Sequence, residues 1–174
     1  MKETGIVRRI DELGRVVIPK ELRKTLKLKE GEQMEIFTTG DKSLVLRRYS
    51  ALGAGADFSQ AYCDALNRAT GKGAVICDSA TVLGASGAQL KELVGEEISE
   101  NLYKTLDNRR ECAPQDPVRI VSDKPFGFKN QHIVPLVVGG DLYGGVMLCS
   151  DVAISATEAR LCALAADLIA ATLE

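Results

Sequence analysis

Two apolar runs, Val16-Val17-Ile18 and Leu44-Val45-Leu46, fall within the first 50 residues and show no alternation with polar positions. A strand of that kind needs cover on both faces. A segment of about 50 residues cannot supply that cover from its own side chains, since a chain so short buries too little of its surface. The economical source of the missing surface is a second copy. The opening segment is therefore expected to form an obligate, interleaved homodimer.

The elements of this segment follow from its punctuation. Gly5–Ile10 and Arg15–Ile18 are predicted strands on either side of Asp11-Glu12-Leu13-Gly14, a turn sequence with glycine available for positive φ. Pro19 suits the start of a helix and is placed at the head of a short one reaching about Leu26. Lys29-Glu30-Gly31-Glu32 reads as a turn. Met34–Thr38 and Leu44–Arg48 read as strands joined through Thr39–Ser43. Tyr49 to Ala56 has two glycines and little periodicity, so the domains are expected at 1–50 and 57–174, with a flexible linker at 51–56.

The second segment alternates helical and extended patterns. Asp57 is a candidate N-cap, followed by Phe58, Ala61, Tyr62, Ala65, Leu66 and Ala69 on one helical face, with Gly71 at the C′ position. Strands are predicted near Ala74–Cys77, Thr81–Ala85, Val118–Val121, His132–Val138 and Leu142–Cys149, with short helices at Gln89–Leu93 and Ile98–Asp107. A terminal helix is expected over Ala156–Leu173, opened by a Ser155/Glu158 capping box. It is apolar on two sides, which fits either deep burial or packing against both its own sheet and another protomer. The order gives an α+β chain of two domains with a mostly antiparallel sheet.

Charge divides along the same boundary. Residues 1–48 carry 12 Lys and Arg against 8 Asp and Glu, whereas the remainder carries 10 against 16. A basic head on an acidic body fits a head that meets phosphate. Arg8, Arg9, Arg15, Arg23 and Lys24 are the candidate nucleic-acid contacts. Arginine offers a planar fork for phosphate or guanine edges, and lysine a point charge. The same cations could equally be solvated surface charges paired with Asp11, Glu12 and Glu21. The five cysteines (63, 77, 112, 149 and 162) lack Cys-x-x-Cys spacing and read as small buried hydrophobes.

The run from Thr4 to Arg23, and above all Leu13-Gly14-Arg15-Val16-Val17-Ile18-Pro19, resembles the N-terminal domain of the AbrB family of transition-state regulators. Beyond the head, Arg47-Arg48-Tyr49-Ser50, the helix from Asp57 and Ala74-Val75-Ile76-Cys77-Asp78 resemble the sporulation branch in which that head precedes a GAF domain. The resemblance implies a swapped-hairpin β-barrel dimer for the head. For the rest it implies a GAF-like antiparallel sheet with flanking helices. It also implies DNA contacts from Arg8, Arg15, Arg23 and Lys24, a homotetrameric assembly, and target genes of late spore development. AbrB itself has arginine where Lys24 stands, so a bidentate grip is lost there.

A ligand pocket is conceivable in the second domain, with Ser86 among small residues on one wall and Phe126 and Phe128 on the other. The same residues fit tight packing and a loop anchor. A small-molecule effector of unidentified class is thus one reading and a pure scaffold the other. No cofactor, metal site or catalytic residue is expected: His132 is the lone histidine, and no G-x-S-x-G elbow, P-loop or H-E-x-x-H motif occurs. No membrane span is expected, because nothing approaches about 18 consecutive apolar residues. The N-terminus has no apolar h-region, which points to the cytoplasm and the nucleoid. The leading reading is a DNA-binding transcription regulator that is not an enzyme. The competing one is an antitoxin-like protein–protein module on an AbrB-type head.

Overall fold

A computed structural model of the chain describes residues 4–26, 28, 30, 34–50, 52 and 56–173, apart from the side chains of Arg48, Ala56 and Asp57. It divides into two compact units, Met1–Tyr49 and Ser50–Glu174.

The first unit holds a short helix α1 (Lys20–Thr25) and a hairpin of β1 (Met34–Thr38) and β2 (Leu44–Arg48). Pro19 sits at the N-cap with φ −57° and ψ 147°, extended as a residue entering a helix must be. Glu21 in the first turn and Arg23 and Lys24 in the last complement the helix dipole. None of the helix is buried. In the hairpin, Met34 pairs with Arg48 and Thr38 with Leu44. Lys42 takes φ +64° in the turn, where the Asp41 carboxylate accepts from the Ser43 amide at 3.1 Å. The expected Lys29–Glu32 turn falls mostly outside the described residues.

Gly5–Ile10 and Arg15–Ile18 are not strands in the single chain. A strand requires a neighbour to complete its ladder, and among the described residues these arms meet each other only around the Asp11–Arg15 turn. Their apolar side chains stand in solvent: Val7 is 86% exposed and Val17 72%, with Ile10, Leu13 and Val16 also exposed. Ile36, Leu44 and Leu46 of the hairpin share that exposure.

The second unit is a four-stranded antiparallel sheet in the order β4-β3-β6-β5, formed by β3 (Gly73–Asp78), β4 (Val82–Ser86), β5 (Asn130–Val138) and β6 (Asp141–Ser150). On one face lie α2 (Ala56–Thr70) and α4 (Ala156–Ala170). There Cys63, Leu66, Cys162, Ala165, Ala166 and Ile169 cover Ala74, Ile76, Val134, Leu136, Val146 and Leu148. On the other, a 3₁₀ turn (Lys91–Leu93) and α3 (Glu100–Asp107) bring Leu90, Leu93, Leu102 and Leu106 over Val75, Cys77, Ile133 and Met147. Gly84 lets α2 approach closely, since a Cβ there would lie 2.8 Å from the Ser59 and Gln60 backbone. At Gly144, φ +153° and an overlap with the Cys77 carbonyl both exclude a side chain. Ser155 and Glu158 form the expected capping box, with the Ser155 amide donating to the Glu158 carboxylate at 2.7 Å.

Two expectations are corrected. Val118–Val121 is not a strand, because the Gln131 side-chain amide takes the Val118 N–H (2.8 Å) and C=O (3.2 Å) that a ladder would use. The segment 51–56 is not wholly a free linker. Leu52 is apolar enough to be buried in the core of the second unit, and α2 starts at Ala56, while residues 51 and 53–55 lie outside the described residues. Of the two readings left open for α4, complete burial within the single chain does not hold, since Leu164 (53%) and Leu168 (48%) remain exposed. Among the described residues, no helix is long and apolar enough to cross a membrane.

Candidate nucleic-acid interface

The turn at Asp11–Gly14 is built around one carboxylate. Asp11 Oδ1 accepts from the backbone N–H of Leu13 (3.0 Å) and of Arg15 (2.8 Å), and Oδ2 accepts from Arg15 Nε (2.8 Å). The backbone closes beneath it, with the Asp11 amide donating to the Arg15 carbonyl at 3.1 Å and the Gly14 amide to the Asp11 carbonyl at 2.9 Å. Gly14 supplies φ +75°. The Arg15 amide, then its guanidinium, hold the Asp11 carboxyl below the usual carboxylate range. The Arg15 side chain is still 70% exposed. The bonds to Asp11 are made by the Arg15 amide and Nε, and none is made by its terminal nitrogens among the described residues.

The remaining candidates are placed more loosely. Arg8 and Arg9 lie on the exposed arm before the turn, and Arg23 and Lys24 on the last turn of α1. All four are exposed, and among the described residues none has an ion-pair partner. Arg47, on β2, lies over the Phe37 ring at 5.2 Å, a cation–π contact that anchors the stem of another head cation. Composition left open whether Arg15 is paired; the structure pairs it with Asp11, yet the pairing occupies only one of its five donors. Asp11 itself was absent from the residues picked out as functional. Its spacing, two residues before one amide donor and four before the arginine, is the signal that marks it.

The pocket expected in the second unit does not assemble. Ser86 pairs across the sheet with Ala74, so it faces α2, and its hydroxyl bonds to the Asp64 carboxylate, which that bond holds below its usual range. Phe126 and Phe128, with centroids 5.4 Å apart, pack into the core on the opposite face. Residues on opposite faces of one sheet cannot frame one ligand. Ser86 instead lines an open groove of about 420 Å³ with Asn67, Gly87, Ala88, Gln89, Lys91 and Glu92. His132 is buried in β5 with Nε2 3.0 Å from Glu111 Oε1. All five cysteines are free, four of them buried. Burial pushes the Cys63 and Cys162 thiols up to about 12, and raises Cys77 and Cys149 as well.

Residues 56–174 match the family described as stage V sporulation protein T C-terminal, transcription factor. Residues 7–52 match the family described as antidote-toxin recognition MazE, bacterial antitoxin. Stage V sporulation protein T of Bacillus subtilis (strain 168) is 40% identical over 152 residues, which span 86% of this chain and 85% of that relative. The chain belongs to the stage V sporulation protein T family. The transition state regulatory protein AbrB of the same organism is 55% identical over 49 residues, 28% of this chain and 50% of its own. For the second unit, the GAF-B domain of DevS from Mycobacterium smegmatis superposes with a TM-score of 0.54 at 16% identity, covering 68% of this chain and 91% of that one. At such identity the likeness is one of fold. Like its family, the chain is a sporulation transcription regulator, with an AbrB-type head and a GAF-like second unit.

Proposed function

We propose that the head binds double-stranded DNA as a swapped-hairpin homodimer, and that the second unit joins two such dimers into a homotetramer. The observation that carries this reading is the exposed apolar arms of residues 4–18, which flank a turn holding Arg15. Interleaving a second copy gives those arms a ladder and buries their valines. It also doubles Arg8, Arg9, Arg15, Arg23 and Lys24 by symmetry, as a duplex with two half-sites requires. The exposed Leu164 and Leu168 on α4 supply the surface that joins the dimers. Two heads per tetramer add avidity to weak single-head binding.

The domains are taken as the two compact units, Met1–Tyr49 and Ser50–Glu174, the second of which includes Leu52. Such a regulator acts in the cytoplasm, on the nucleoid, and catalyses nothing. A small-molecule effector would fit the groove beside Ser86 better than the expected pocket, because Phe126 and Phe128 pack against the core on the opposite face. The test is gel-shift titration of the full chain across salt, paired with sedimentation. Arg8→Ala and Arg23→Ala should weaken binding to any duplex. Each should also make the salt slope shallower, by about 0.9 for every phosphate left without its cation. Undiminished affinity in these variants and in Arg15→Ala would refute the assignment.

The match of residues 7–52 to an antitoxin family favours a second reading, in which the head displays a toxin-binding tail. The globular second unit argues against a tail that wraps a partner. Failure of the full chain to shift any duplex would favour the antitoxin reading.

A further inference from the structure

We infer that Asp11 is a positioning residue for base recognition: it clamps Arg15 through Nε so that the two terminal nitrogens face a guanine edge as a preset fork. The inference rests on the reading that the head binds DNA. A guanidinium has two edges able to make paired hydrogen bonds. One uses Nε and a terminal nitrogen, the other the two terminal nitrogens. Oδ2 of Asp11 occupies the first at 2.8 Å, leaving the second open. Oδ1 fixes the backbone of the same residue, accepting from the Arg15 amide at 2.8 Å and the Leu13 amide at 3.0 Å. One carboxylate thus holds the backbone amide and the Nε of a residue whose side chain is 70% exposed.

The other head cations lack this arrangement. Arg8, Arg9, Arg23 and Lys24 are exposed and have no ion-pair partner among the described residues, so they keep the rotamer freedom that suits phosphate contacts. Base reading needs a fixed fork; phosphate contact needs only charge within reach. The carboxylate also carries a sign. Its negative charge beside the fork weakens Arg15 as a phosphate contact, so Arg15 contributes to discrimination more than to bulk affinity. Like any exposed carboxylate, Asp11 is ionised at neutral pH, and the Arg15 amide and guanidinium lower its pKa further.

The test uses the full-length chain and two duplexes: one enriched by the wild-type chain from a random pool, and a shuffled duplex of the same composition. Asp11→Asn retains an oxygen for the two backbone donors but puts an amide donor where Oδ2 accepts from Arg15 Nε, so the Nε hydrogen bond and the ionic grip are lost together. It should lower the affinity ratio between the two duplexes about tenfold, the scale of one bidentate base contact, while affinity for the shuffled duplex stays level or rises. Arg15→Ala should lower the ratio similarly, and Asp11→Asn added to it should cost nothing further. Arg15→Lys leaves Asp11 and the charge count untouched and should lose discrimination while keeping shuffled-duplex affinity, which guards against a fold defect in the asparagine variant.

A ratio unchanged in Asp11→Asn overturns the inference. So do losses that multiply in the double variant, or equal losses on both duplexes accompanied by a fall in thermal midpoint. Failure of the wild type to enrich any sequence overturns it as well. If Arg15→Ala binds both duplexes like wild type while Asp11→Asn does not, the DNA-contact assignment of Arg15 is what has failed.

Discussion

Val17→Ala offers the sharpest test of how the head completes its fold. Val17 is 72% exposed within its own chain, so the substitution removes almost nothing from intramolecular packing. Interleaving with a second copy would bury that exposed fraction. Valine to alanine deletes two methyl groups, at about 0.8 kcal/mol for each buried carbon. Scaled to the fraction now in water and counted for two protomers, the loss comes to about 2 kcal/mol per dimer. That weakens head–head association roughly 30- to 50-fold. Sedimentation velocity of the full chain over a dilution series, or exchange of donor- and acceptor-labelled chains, reads the shift directly. The thermal midpoint of the second unit should not move. A dissociation constant within twofold of wild type would refute the argument that these arms are buried by a twin.

Further outcomes follow from single sites in the second unit. Ser155→Ala removes the α4 capping box and should cost about 1 kcal/mol in denaturant melts. The Ser155 backbone and hydroxyl hold the Glu158 carboxyl below its usual range, so its stabilisation is full above the unfolded pKa. It is lost as pH falls through the folded one, and Ser155→Ala should flatten the acid limb of the stability profile. Gly144→Ala forces a Cβ into the Cys77 carbonyl at φ +153° and should abolish soluble expression or cost about 3 kcal/mol. Gly139→Ala, with φ +59° and open space, should cost only about 1 kcal/mol. With four thiols buried, native alkylation at pH 8 followed by peptide mass mapping should label Cys112 first. Prior labelling of Cys63 or Cys162, whose thiols sit at about 12, would contradict their burial.

Elements governed by local signals were legible in the sequence. Ser155 and Glu158 stand at capping-box spacing, and the box is there; Gly71, read as a C′ residue, takes φ +67° after α2. Features set by distant partners were not. Val118 looks like strand until Gln131, 13 residues later, takes both its backbone groups. Whether Ser86 faces the same way as Phe126 depends on the β3–β4 register and the irregularity between Ile76 and Cys77, which no local pattern encodes. The residue types of the proposed DNA interface are visible in the sequence as charge on turns and a short helix. The Asp11 grip was hidden, because an acidic residue near an arginine reads as neutralisation until both carboxylate oxygens are seen to hold it.

The two units treat their strand edges in opposite ways, and this links folding to DNA recognition. In the second unit both outer edges are partly capped from within. The Gln60 amide takes the N–H and C=O of Ala85 on β4 (3.2 and 3.0 Å), and Val82 is taken by Glu96 and Gly95. On β5, Ile133 exchanges both backbone bonds with Cys112 at 2.8 and 3.0 Å. Capped positions disfavour ladder-to-ladder association, and the exposed Leu164 and Leu168 are the surface that the proposed tetramer would use. In the head, residues 4–10 and 15–18 lie in no ladder, and the two-stranded sheet has no third strand among the described residues. A unit that completes its strands only with a twin acquires its symmetric cation set in the same step. Head association and DNA affinity should therefore fall together in Val17→Ala even though every arginine is retained. A variant that lost the dimer yet kept wild-type DNA affinity would separate the two and break the link.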